Sequence, residues 1–220
     1  MREEEPAMKE LIRKYRHGIP MVIYLIVYLI LFFIVERMTE NHYHLVHIKL
    51  DDMIPFCEFF VIPYFCWFAY VAGFVLYFIF IDKESYWPMF WFLVTGMTLF
   101  LVVSFIYPNG HELRPTEFAR DNVFTRMIAD LYETDTATNI LPSIHVYNSL
   151  GIHIAVRKSK RLSKHRAVQI ASEILCVLII MSTVFIKQHS MVDVISAFVL
   201  AVVMYVLIYV FHVVPRKNEI

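Results

Sequence analysis

Long apolar runs recur along the chain, each separated from the next by a charged connection, and that alternation limits what it can fold into. A run of about 20 apolar residues is the length a helix needs to cross a bilayer. Such runs occupy residues 19–35, 54–81, 87–107, 168–185 and 191–214. A sixth, 142–156, is short and interrupted by His145, Asn148 and His153; it is counted as a span because the segments on both sides need it to keep the topology even. The chain is 59% hydrophobic, with a mean hydropathy of +0.57, too apolar for an ordinary soluble domain. The expected fold is all-α: a polytopic membrane protein, a bundle of six transmembrane helices. Residues 1–18 form a cytoplasmic interfacial segment, with Met8, Leu11, Ile12 and Tyr15 at helical spacing. Residues 19–214 form the six-span domain and 215–220 a cytoplasmic tail. Pro63 is expected to kink the second span, and no segment carries a strand signal.

The first apolar run follows a basic stretch, as in a signal peptide, but Glu36, Arg37 and Met38 stand where a small-residue cleavage site would be, so it reads as a retained span. Orientation follows from Lys and Arg. The N-terminal segment has five, the loop between spans two and three has one, the loop between spans four and five has six and the tail has two; the opposite connections share the remaining six of the 20. The positive-inside rule then puts both termini in the cytoplasm of a multi-pass cell-membrane protein. The basic residues lie in short flanks, which argues against a nucleic-acid partner. Cys57, Cys66 and Cys176 match no zinc or redox spacing and read as small buried hydrophobes.

This topology gathers several reactive residues at the outer face. His189 and Asp193 stand four apart, on one face if helical, so the carboxylate can hold one imidazole nitrogen and leave the other as a phosphoryl nucleophile. Ionisable groups beside lipid are functional candidates by default. Leu141-Pro142-Ser143-Ile144-His145 places a proline in a first helical turn, whose free N–H groups favour an anion; Ser143 adds a hydroxyl, and His145 is placed to protonate a leaving oxygen. Arg114 supplies a fork suited to phosphate oxygens. Lys187 reads either as a phosphate ligand or as a snorkelling interfacial lysine. Together these groups describe phosphoryl transfer. No acidic cluster stands ready for magnesium, so a metal-free route without a cofactor is expected, acting on a membrane lipid.

On these residues the chain resembles the type-2 phosphatidic acid phosphatase superfamily of membrane lipid phosphatases and phosphotransferases. Arg114-Pro115 matches the end of its first motif, Pro142-Ser143-Ile144-His145 its second, and Ser182-Thr183, five residues, His189, three residues, Asp193 its third. The resemblance runs from the first span to the sixth. It implies that His189 forms a phosphohistidine, that Asp193 orients it, that His145 is the general acid and that Arg114 and Ser143 hold the phosphoryl group. Three positions depart from the pattern: Tyr107 replaces a lysine, Ile144 a glycine and Thr183 an arginine. His111 and Lys187 are candidates to compensate. A bulky residue between Ser143 and His145, with those cations missing, is similar to the inositol phosphorylceramide synthase and sphingomyelin synthase branch, which transfers phospho-headgroups between lipids. Water and a lipid hydroxyl would attack the same phosphohistidine, so hydrolysis and transfer both stay open.

Two other classes compete. His145, His189 and Asp193 are also a two-histidine, one-carboxylate set of the kind that holds iron in an oxidase, a reading that gives Arg114 and Ser143 no role. The missing cations would also suit a non-catalytic six-span lipid-binding protein or transporter. Elsewhere, His42, His44 and His47 read as an interfacial loop. Asp121, Asp130, Glu133 and Asp135 read as solvated or capping residues. Residues 108–141 are too long for a plain connector and are expected to cover the site. Asn148 and His153 are expected to bond between helices.

Overall fold

A computed structural model describes residues 10, 13–39 and 42–214. Most of the interfacial segment expected over 1–18, and all of the tail at 215–220, therefore lie outside the described residues. The described chain is largely helical, with almost no strand. Helix α1 spans Ile19–Thr39, α2 Lys49–Met53, α3 Val61–Phe80 and α4 Lys83–Ile106; α5 spans Val123–Thr134, α6 Ile144–Lys158, α7 Arg166–Phe185 and α8 Met191–Tyr205, which ends in a π turn over Val206–Val210.

Among the described residues, five helical segments are long and apolar enough to cross a membrane: Arg13–Thr39, Glu58–Phe80, Lys83–Ile106, Arg166–Phe185 and Met191–Val210. They correspond to five of the six expected spans. The remaining one, α6, has 15 residues, about 22 Å of helix against a hydrocarbon core of about 30 Å. Its polar content is explained by where it sits. It packs against α3, α4, α7 and α8, so Asn148 and Ser149 are buried in protein. His153 Nδ1 pairs with Ser172 Oγ of α7 at 3.1 Å, the expected helix-to-helix bond.

The seam between α4 and α6 is closed by two glycines. A Cβ at Gly96 would overlap the Tyr147 ring, and one at Gly151 would press on Phe92. Tyr147 and Phe92 stack at 4.7 Å, and the Tyr147 hydroxyl donates to the Phe92 carbonyl at 2.8 Å. This fit sets the height of α6, and therefore of His145 at its start. At the opposite end Asp82 accepts from Ser159 Oγ at 2.5 Å and Ser85 Oγ at 2.9 Å, tying the α3–α4 turn to the connection after α6.

Two expectations are corrected. A short parallel pair exists: β1, His44–Leu45, beside β2, Asn109–Gly110, with His44 opposite Asn109. Two residues per strand are too few to leave a period-two pattern. Pro63 lies in the first turn of α3, where its missing N–H would have no intrahelical partner anyway, so it gives no reason for a kink. The long connection over 108–141 contains a helix of its own, α5. It is capped by Asn122, whose Oδ1 accepts the N–H groups of Phe124 and Thr125 at 2.9 and 3.0 Å. Ile128 and Leu131 on its inner face join Val61, Tyr64 and Ile186 in one apolar cluster, so α5 packs over the end of α3.

Candidate active site

The turn between α7 and α8 carries the centre of the site. Lys187 adopts a left-handed backbone, φ 53°, and the N–H groups of Gln188 and His189 both donate to the Thr183 carbonyl at 2.9 Å. Ser190 then caps α8. Its hydroxyl accepts from Val192 N–H at 3.1 Å, and its own N–H donates to Asp193 Oδ2 at 2.8 Å. His189 therefore precedes the helix, and it does not share a helical face with Asp193 as the four-residue spacing suggested. The reason is the strength of serine as a cap, which starts the helix at Met191, two residues after His189. The two side chains meet nonetheless, His189 Nδ1 lying 3.4 Å from Asp193 Oδ2. Asp193 is fully buried and His189 nearly so. The contact is too oblique for a hydrogen bond.

His145 meets His189 from the other side, Nδ1 to Nε2 at 3.4 Å. Its ring is clamped between Tyr64 at 4.6 Å and Trp67 at 4.4 Å. His189 thus has Nδ1 on the side of the Asp193 carboxylate and Nε2 on the side of His145. Burial, with the Arg114 guanidinium adding to it and the Ile140 backbone opposing, lowers the His189 imidazole to about 3. The ring is therefore neutral at physiological pH. Ser143, fully buried, caps α6. Its hydroxyl accepts from Val146 N–H at 3.4 Å, and its N–H donates to the Asp193 carbonyl at 3.2 Å. Pro142 precedes this cap, after a cis peptide bond, and so lies outside the first turn.

The two cations take up different positions. Arg114 donates to the backbone carbonyls of Tyr132 at 3.1 Å and Asp135 at 2.7 Å and to Gln188 Oε1, with its guanidinium 4.3 Å from the Tyr132 ring centre. It ties the end of α5 to the turn that carries His189. Lys187 is directed to the backbone carbonyls of Asp51 at 2.9 Å and Ile54 at 2.6 Å. This matches neither sequence reading, because the left-handed turn sends its side chain toward α2. Tyr107 stacks on His44 at 4.4 Å. Thr183 bonds back to the Ile180 carbonyl. His111 donates from Nε2 to the Gln188 carbonyl at 3.0 Å, since its Nδ1 accepts the Leu113 N–H. Burial lowers it to about 4. It supports the turn as a neutral donor.

Three contributors escaped the sequence reading. The Asp51 carboxylate accepts from Ser190 Oγ and Met191 N–H, both at 2.7 Å, and from Ile48 N–H at 3.0 Å. The Tyr132 hydroxyl donates to the Ile186 carbonyl at 2.6 Å. Asp135, expected to be solvated or capping, is the C-cap of α5; its carboxylate accepts from Tyr64 at 3.1 Å, and burial raises the carboxyl above the usual range. The signal available for Asp51 was an Asp-Asp pair beside an apolar run. Asp121, by contrast, is exposed and paired with Arg126 at 2.8 Å, as expected.

A cavity of about 590 Å³ reaches this centre. Its polar end is formed by His145, His189, Gln188 and Asp135, and its apolar walls come from α1, α3 and α4. Leu25, Leu29 and Phe68 both line it and stand on the exposed apolar surface. Among the described residues, no group of three or more His, Cys, Asp or Glu side chains is arranged to hold a metal ion. His42, His44 and His47 form no such group either, and His47 pairs with Asp52 at 2.8 Å. Comparison of the chain with family models, curated proteins and solved structures finds no match in any of them.

Proposed function

We propose that the chain is a metal-independent membrane enzyme that moves the phosphoryl group of a lipid phosphate or pyrophosphate through a phosphohistidine on His189. The observation that carries this reading is the meeting of His145 and His189, backed by Asp193, at the polar end of a cavity whose other walls are apolar. A lipid fits such a space with its phosphate at the imidazoles and its tail along α1, α3 and α4.

In the first step the His189 Nε2 lone pair attacks phosphorus, the N–P bond forms, and the P–O bond to the lipid breaks. The leaving oxygen takes a proton from His145. Asp193 stabilises the charge that develops on the His189 ring. In the second step water, or a lipid hydroxyl, gives its proton to His145 and attacks phosphorus. The N–P bond breaks and both histidines are restored. The rings touch in the resting site, so substrate must part them before reaction.

The same reading takes α6 as a sixth, short span held inside the bundle. It puts both termini in the cytoplasm and the site at the outer face of the cell membrane, from the Lys and Arg asymmetry. The resemblance to type-2 phosphatidic acid phosphatases supports it. Headgroup transfer to a lipid hydroxyl is the second reading, favoured by Tyr107 and Thr183 standing where that family carries cations. The test is phosphate release from lipid phosphates in detergent micelles with excess chelator, for the wild type and His189→Ala. Release by the wild type alone is expected. Release that survives in His189→Ala sinks the phosphohistidine. Release only after a diacylglycerol or ceramide-like acceptor is added moves the reading to transfer.

A further inference from the structure

We propose that the carboxamide of Gln188, aimed by Arg114, is the donor that grips a non-bridging phosphoryl oxygen, and that the site is thereby built for a singly charged phosphoryl group. This rests on the reading of His189 as nucleophile and narrows the preferred substrate from a phosphate monoester or pyrophosphate to a phosphodiester. Gln188 adjoins it in sequence and is 3% exposed. Its backbone is fixed at both ends, the N–H donating to the Thr183 carbonyl at 2.9 Å and the carbonyl accepting from His111 at 3.0 Å.

The side chain has a defined orientation. A guanidinium can only donate, so the atom facing Arg114 Nη2 is the amide oxygen. The amide nitrogen must then point the other way. It is buried, has no hydrogen-bond partner among the described residues, and belongs to a residue that lines the same cavity as His145 and His189. A buried donor without an acceptor is costly, and a phosphoryl oxygen supplies one.

The charges around it decide which phosphoryl group suits. Lys187 is turned away to the Asp51 and Ile54 carbonyls. Arg114 lies behind Gln188, its Nη groups held by Tyr132, Asp135 and Gln188 itself. Asp130 and Asp135 line the cavity. With one cation at second hand and two carboxylates on the wall, each further negative charge on the ligand is repelled, so the group that carries fewer suits better. A phosphodiester carries one; a phosphomonoester at alkaline pH carries two and would meet the carboxylates with nothing to offset the second.

The test compares a lipid phosphodiester with the matching phosphomonoester at pH 8 in detergent micelles, for the wild type, His189→Ala and Gln188→Glu. Glutamate keeps the shape and the oxygen facing Arg114 but replaces the donor with an acceptor. Wild type is expected to favour the diester in kcat/KM, and Gln188→Glu to lose roughly 10- to 100-fold on it, the worth of a hydrogen bond to a charged group. Its thermal unfolding should stay at or above the wild-type temperature. Competition by dialkyl phosphate against alkyl phosphate gives the same comparison without turnover, the dialkyl ester binding more tightly to wild type alone. His189-dependent turnover that favours the monoester, or that is unchanged in Gln188→Glu, overturns this inference and leaves the phosphohistidine standing. Absence of His189-dependent turnover on both esters overturns both.

Discussion

The Ser190 hydroxyl donates to the Asp51 carboxylate at 2.7 Å, joining the turn that carries His189 to a residue 139 positions earlier in the chain. The same carboxylate takes the Met191 N–H at 2.7 Å. Asp51→Asn turns one of two acceptor oxygens into a donor and leaves a buried group unpaired, at a cost of about 1–3 kcal/mol. The expected result is a lower unfolding temperature in detergent and a fall in kcat with KM little changed. A fall confined to KM would contradict a positioning role.

His145 should reveal itself through the leaving group. An alkoxide leaving from a lipid needs a proton, whereas a nitrophenolate does not. His145→Ala is expected to lose about 10²–10⁴-fold on an alkyl phosphate ester and far less on a nitrophenyl ester. Equal losses on both would point to a packing role between Tyr64 and Trp67.

His111 gives the fold an acid sensitivity. Its folded value, about 4, lies below the ordinary imidazole value of 6.5, so between those values the unfolded chain binds a proton that the folded chain does not. Stability is therefore full above pH 6.5 and declines as pH falls toward 4, by about 1.4 kcal/mol per pH unit for one such group. His111→Gln, which can keep the bond to the Gln188 carbonyl, should flatten the fall in unfolding temperature over that window. An unchanged slope refutes the assignment.

Lys187 should matter to stability more than to substrate. Burial lowers its ammonium from the usual lysine value, while two carbonyls hold it. Lys187→Met leaves both carbonyls without that donor, so unfolding at a lower temperature is expected, with KM for the lipid phosphate unchanged. A large rise in KM would return Lys187 to the substrate.

What could be read in advance follows from the range of the interactions. The five long helices were legible because each carries its signal in one uninterrupted apolar run. α5 was hidden because its fully buried positions, Thr125, Ile128 and Leu131, stand amid charged neighbours such as Arg126 and Asp130. His145, His189 and Asp193 were recognisable from their types and spacing, and the structure brings them together. Their local geometry was not: Ser190 starts α8 after His189, and a left-handed backbone at Lys187 redirects its side chain. Asp51 was illegible because its partners lie in the turn before α8, and no pattern within either segment announces the contact. Gln188 carries no motif; its importance comes from Arg114 fixing which end of the amide faces the cavity.

The cavity wall formed by Leu25, Leu29 and Phe68 continues onto the outer apolar surface. A substrate using that opening never has to leave its leaflet, and it meets the enzyme by two-dimensional diffusion. Under the proposed reaction, rate should then follow the mole fraction of substrate within the micelle or vesicle. Adding inert detergent at constant substrate should slow turnover by surface dilution, although the bulk concentration is nearly the same.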